Sequence, residues 1–199
     1  MEYKKIANYT LLIGGLLINN AVSADDGIAS ATLLANNCTG CHGANGSSMG
    51  PAIPTIAGIS QDSFIEAMKG YKEDERPATI MGRIAKGYND KEIEVMADYF
   101  AKQTFVRYTQ NYDADKAAKG KKLHEKYCEK CHVDGGTKDE DGSSVLAGQW
   151  MSYLHFSMED FHAGNREMTK KMKKRLDAMV KEQGEESLDN IVHFYGSHQ

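Results

Sequence analysis

The sequence predicts an all-α chain made of two copies of one small domain in tandem. Three observations predict it. The pattern Cys-x-x-Cys-His occurs twice, 90 residues apart, and uses every cysteine in the chain. Apolar residues around the two copies recur at that same offset and at helical spacing. No stretch alternates with period two for long enough to make a strand. Composition agrees with a globular chain: of 199 residues, 41% are apolar and 26% charged. The formal charge of -4 excludes the general basic field that binding to nucleic acid would need.

In chain order, Lys4 and Lys5 precede an apolar run from Leu11 to Ile18, and Val22-Ser23-Ala24 supplies the small residues at which a signal peptidase cuts. Residues 1–24 therefore read as a signal peptide, and the protein as exported. The alternative is a buried N-terminal helix, which Asn19, Asn20 and the acidic pair Asp25-Asp26 would end abruptly. The apolar run is too short to span a bilayer, so no integral membrane segment is expected after removal of the signal.

The first domain is expected over 25–106. It should open with a helix over 28–38 that leads into Cys38-Thr39-Gly40-Cys41-His42. Phe64, Met68 and Tyr71 mark an amphipathic helix, and Ile93, Met96, Ala97, Tyr99 and Phe100 a C-terminal helix that packs across the first. Residues 107–111 (Arg-Tyr-Thr-Gln-Asn) are polar and aperiodic and read as a linker. The second domain, 112–199, repeats the plan with a helix over 115–128, the motif Cys128-Glu129-Lys130-Cys131-His132, and Leu154, Met158 and Phe161. Its final helix carries Leu188, Ile191, Val192, Phe194 and Tyr195. Ala57-Gly58 pairs with Ala147-Gly148 and Arg76 with Arg166 at an offset of 90, whereas Tyr99-Phe100 pairs with Phe194-Tyr195 at 95. The second copy thus holds about five extra residues after Arg166.

Cys-x-x-Cys-His attaches haem c. The two thiols add to the vinyl groups, and two intervening residues let one helical turn present both sulfurs and the imidazole to one porphyrin face. Cys38, Cys41, Cys128 and Cys131 are therefore the attachment residues, with His42 and His132 as proximal iron ligands. Two disulfides are the alternative for an exported chain, and a four-cysteine zinc site is another, but zinc ribbons bring their pairs much closer. Domains of about 80 residues bury little surface by themselves, so two covalently held haem c groups would complete their cores. The class is then two cytochrome c domains in tandem, each wrapped round one haem.

The sixth iron ligand sets the function, because a thioether favours electron transfer and an open site favours other chemistry. Met81 sits in the non-periodic stretch Pro77–Arg83 between helices and is the distal candidate in the first domain. Met68 and Met96 fall on apolar stripes and read as core, and Met49 is only seven residues past His42. In the second domain the offset of 90 points to Lys171, so Met172 needs one inserted residue and leads over Met168, which needs three removed.

Thr79 to Tyr88, Lys122 to His132 and Leu146-Ala147-Gly148-Gln149-Trp150 resemble the dihaem cytochrome subunits of flavocytochrome c sulfide dehydrogenases. That resemblance spans nearly all of the chain after the signal. It implies a periplasmic heterodimer whose partner is an FAD subunit that oxidises sulfide. Electrons would pass from flavin through both haems to a soluble acceptor such as another cytochrome c. It also implies His/Met ligation of both irons, with no catalytic residue in this chain. The first domain carries Gly50-Pro51, a pattern whose prolyl carbonyl orients the proximal imidazole in cytochromes c; the second has Ser143-Ser144-Val145 and no proline.

Other features have plainer readings. The basic run Lys170, Lys171, Lys173, Lys174 and Arg175 could steer an acidic redox partner, but reads first as a solvated helix face. His124, His155, His162, His193 and His198 could in principle replace a methionine ligand, and none is assigned. Tyr127 could meet the porphyrin edge or simply pack in the core, and Trp150 could reach a propionate. Two alternatives to the sulfide dehydrogenase subunit stay open: a free dihaem shuttle to a terminal oxidase or reductase, and a dihaem peroxidase.

Overall fold

The computed structural model describes residues 27–139 and 142–199; the signal-peptide reading of residues 1–24 lies outside them. Helix α1 (Ala31–His42) starts at Ser30, whose side chain accepts the Leu33 N–H, and stops at Gly43, where φ is 75°. The helices α2 (Gln61–Lys72), α3 (Met81–Ala85) and α4 (Asp90–Ala101) follow. A reciprocal cap starts α4, with the Asn89 side chain on the Glu92 N–H and the Glu92 side chain on the Asn89 N–H. Leu34 and Ala35 of α1, Phe64 and Met68 of α2, and Ile93, Met96, Ala97 and Phe100 of α4 form one core cluster.

The second half repeats this. Asp113 caps α5 (Ala114–Leu123), which runs into a π-helical turn over His124–Cys128. A single turn, α6 (Val133–Gly136), then α7 (Met151–Ala163), α8 (Lys170–Gln183) and α9 (Glu186–Gly196) complete the chain. Leu123, Tyr127, Leu154, Leu176, Met179, Ile191, Val192, Phe194 and Tyr195 form a second cluster. Among the described residues there is no strand.

The backbone bonds carry the repeat as clearly as the side chains do. The N–H groups of Ile56 and Ala57 donate to Gly46 O, and those of Leu146 and Ala147 to Gly136 O. Gly58 donates to Phe100 O as Gly148 donates to Tyr195 O. Gly46 and Gly136 have φ of 83° and 79°, and a Cβ on either would sit 2.9 Å from the ring of Phe100 or Tyr195. Both positions therefore need glycine twice over, for conformation and for space.

Two elements differ from expectation. Met81 opens a short helix instead of lying in a loop. The extra residues after Arg166 lengthen that same element, so the five-residue α3 corresponds to the fourteen-residue α8.

The halves are joined by polar contacts, not only by the chain. Gln149 bridges them, accepting the Thr55 N–H and donating to Thr55 O, both at 2.9 Å. Trp150 donates from Nε1 to Ser48 O at 3.0 Å and stacks on Tyr108. Its N–H is thus spent at the junction and not on a propionate. Asp139 accepts the Ser60 N–H at 2.8 Å. The segment 107–111 has no helix but is held down, with Arg107 donating to Ala147 O and Gln110 to Gln149 O.

Candidate haem sites

Each motif rides out of a helix, so both cysteine pairs are presented alike. Cys38 is half-buried and Cys41 exposed; Cys128 is half-buried and Cys131 exposed. All four are free thiols, which removes the disulfide alternative. Among the described residues no group of three or more His, Cys, Asp or Glu side chains converges as a metal site, so the two pairs are not gathered into one zinc centre. Burial, aided by the neighbouring Cys41, raises the Cys38 thiol above its usual value. Burial pushes the Cys128 thiol up to about 11 against an opposing hydrogen bond from Tyr195.

His42 is buried, with Nδ1 2.8 Å from Pro54 O. Nδ1–H donates to that carbonyl, which leaves the Nε2 lone pair for a metal. The orienting carbonyl is therefore that of Pro54 and not Pro51, the residue nearer the motif in sequence. Burial lowers the His42 pKa despite the Pro54 bond, which keeps the ring neutral and able to ligate. His132 is lowered by burial and then by the nearby charge of His124. Its Nδ1 is buried and makes no hydrogen bond of good geometry, with only the Ser143 backbone acting on the ring, and the Ser143 hydroxyl is likewise buried and unpaired.

Met81 is half-buried and packs, like Cys38, against the first core cluster. In the second half Met168 packs with Cys128 against the second cluster, whereas Met172 is half-buried in the first turn of α8. Thr169 caps that helix by accepting the Met172 N–H at 3.2 Å. Met68 and Met96 are buried core residues, as their spacing indicated.

The five other histidines are engaged locally. His124 contacts Tyr195 and Glu129, and His193 accepts the Asp113 N–H. His155 lies 3.3 Å from Asp189, His162 3.8 Å from Glu185, and His198 3.0 Å from Phe194 O. Tyr127 is a core residue whose hydroxyl donates to Glu182 at 2.7 Å. The basic residues at the start of α8 are all exposed, with Lys173 paired to Asp177.

These residues fit a porphyrin in three ways. Two neutral imidazoles are held beside two cysteine pairs. Met49, Ile53, Ile80 and Ile84 are large apolar side chains left exposed in the segments that follow the first motif and surround Met81. Arg76 and Arg166, related by the repeat, are half-buried, and among the described residues their partners are aromatic and phenolic. Arg76 donates to the Tyr153 hydroxyl at 3.0 Å and lies over Tyr71, and Arg166 lies over Phe161. Burial alone would raise the Tyr153 phenol, but the two guanidiniums outweigh it and lower its pKa. Such a cationic pair suits the carboxylates that a haem carries.

Comparison with known proteins agrees. The cytochrome c family model matches residues 29–104. Over 68 residues the chain is 43% identical to the cytochrome subunit of sulfide dehydrogenase of Chlorobaculum tepidum, which covers 34% of this chain and 61% of that one. The chain thus spans about three fifths of that relative. It is 33% identical over 87 residues to cytochrome c-553 of Nitratidesulfovibrio vulgaris, covering 42% of this chain and 81% of the relative. The fold matches reduced recombinant cytochrome c4 from Pseudomonas stutzeri with a TM-score of 0.71 at 20% identity, over 86% of this chain and 100% of that one. The chain is an electron-transfer protein with a cytochrome c fold, and it belongs to the cytochrome c family.

Proposed function

We propose that this chain is a periplasmic dihaem subunit that takes electrons from an FAD protein oxidising sulfide and passes them to a soluble acceptor such as another cytochrome c. The observation that carries this reading is the 43% identity to a cytochrome subunit of sulfide dehydrogenase. Two complete motifs on two repeated cores support two electron-carrying sites in one chain. Its modules are 25–106 and 112–199, with 1–24 as the export signal. No helix among the described residues is long and apolar enough to cross a membrane.

In this reading Cys38, Cys41, Cys128 and Cys131 hold two haem c groups, with His42 and Met81 on one iron and His132 and Met172 on the other. The haems supply one-electron redox chemistry. The chain fixes their settings. Pro54 O holds the His42 ring in one tautomer, and burial keeps both imidazoles neutral. Met172 is preferred to Met168 because it lies in the first turn of α8 as Met81 lies in the first turn of α3, and it is one residue from the position that the repeat offset of 90 gives. The Gln149 and Trp150 bonds across the junction set the spacing between the two sites.

A free dihaem shuttle is the second reading, and the 28% identity to cytochrome c4 of Pseudomonas aeruginosa over 65% of this chain supports it. Purification of the native protein separates the two. Co-elution of a flavoprotein, with reduction of both haems on anaerobic addition of sulfide, supports the subunit reading. A flavin-free monomer that sulfide does not reduce supports the shuttle.

A further inference from the structure

The two halves differ at one buried place. In the first, Leu34 and Phe100 pack together as part of an apolar core, 4% and 0% exposed. Their counterparts in the second are His124 and Tyr195, 1% and 4% exposed, and Thr39 is matched by Glu129. An apolar pair has thus been replaced by an imidazole, a phenol and a carboxylate. Burying such groups is costly unless each is paired, and here each is. His124 Nδ1 lies 2.9 Å from the Tyr195 hydroxyl, and Nε2 contacts Glu129. Glu129 also accepts the N–H groups of Asp134 and Gly135. The π-helical turn over His124–Cys128 seats this imidazole one turn before the haem-attachment cysteine, a kind of distortion often found at functional sites.

The geometry points to a proton-binding site at His124 that works with the second haem: when this domain takes up one electron, His124 takes up one proton from solvent at Nδ1, and Glu129 holds the charged ring through Nε2–H. This rests on the dihaem reading above. Glu129 is 42% exposed while the His124 side chain is 1% exposed, so a partly hydrated carboxylate accepts the Nε2–H of the buried ring and favours its charged form. With the ring neutral, Nε2–H donates to Glu129 and the Tyr195 O–H donates to Nδ1. Once the ring is charged, Nδ1–H donates to the Tyr195 oxygen, which frees the Tyr195 O–H for the Cys128 sulfur, its other partner. Protonation is therefore relayed to the sulfur that attaches the haem. The electron comes from the reductant of the relay and the proton from water. The charge gained on His124 offsets the positive charge lost at the iron, and that is why the two events favour each other.

The surrounding groups set the range. Burial lowers the His124 pKa, and His198, just past the end of α9, adds to this. Glu129 and, on the same turn, Glu125 oppose it. His132 senses the His124 charge directly, and Arg175 on α8 acts on Cys128. Titration is thus expected on the acid side of the ordinary histidine value.

The test is the midpoint potential of each haem in the intact protein, measured by optical redox titration from pH 4.5 to 8, with haem content recorded for every sample. One haem should fall in potential as pH rises through the His124 titration, and the other should stay flat. His124→Leu, the residue type that the first half uses, should abolish that slope at full haem content. Glu129→Gln should move its break to lower pH, because the carboxylate that favours the charged ring is gone. A wild-type protein with two haems and no slope overturns the inference, as does a slope that survives His124→Leu. If His124→Leu does not load haem, Glu129→Gln decides, and an unmoved break overturns the proposal. A wild-type chain with one haem refutes the dihaem reading instead.

Discussion

Nδ1 of His42 is bound to Pro54 O, whereas buried Nδ1 of His132 has only a weaker interaction with the Ser143 backbone, so the two imidazoles are fixed to different degrees. Both have pKa values lowered by burial. A lowered histidine binds fewer protons folded than unfolded below about pH 6.5, so its stabilisation is full above that pH and is lost on acidification. Iron coordination also demands the neutral ring, so a bound haem keeps the same sign. The thermal midpoint should therefore fall between pH 7.5 and 5, and a midpoint that rises would contradict the burial account. The distal residues are separable too. Met172→Ala should remove one Met–iron charge-transfer band and lower that haem's potential while leaving the fold intact. Met168→Ala should keep both bands and cost about 2 kcal/mol in denaturant unfolding, as expected for a truncated packing residue.

Among the elements, the crossing of α5 and α9 has the least room. A Cβ on Gly120 would lie 2.0 Å from Asn190 O, so the helices meet backbone to backbone there. Gly120→Ala should push α9 away and destabilise the second half by about 1–3 kcal/mol, read as a lower unfolding midpoint with the first haem's spectrum unchanged. Most elements were legible in the sequence because buried faces leave a spacing: Phe64, Met68 and Tyr71 mark α2, and Ile93, Met96 and Phe100 mark α4. The repeat offset showed about five extra residues after Arg166 but not which element takes them; the structure puts them into the long α8. The π-helical turn was not legible, because a change of hydrogen-bond register from i+4 to i+5 leaves the order of apolar residues unaltered. His124 was hidden for a related reason: a histidine on its own does not announce burial, and only its alignment with Leu34 shows that it occupies a core position. The Pro54 contact escaped because it depends on how the loop after the motif folds back, which spacing does not encode.

In the whole molecule, a buried amide is the central bond among several that tie the two halves together. Gln149 satisfies both backbone groups of Thr55 in a buried setting, and its loss would leave them unpaired at about 1–3 kcal/mol each at most. Gln149→Ala should therefore split a single calorimetric unfolding transition into two, because each half keeps its own core. A transition that stays single and unshifted would mean that the junction is held by something else. The central claim is that one chain carries two covalent haem sites built on one repeated plan. The most direct measurement of it is the intact mass of the denatured, acid-extracted protein. The account predicts the polypeptide plus two haems, falling to one haem in the Cys38→Ala/Cys41→Ala double variant. A single haem in the unaltered protein, or two retained in that variant, would contradict it.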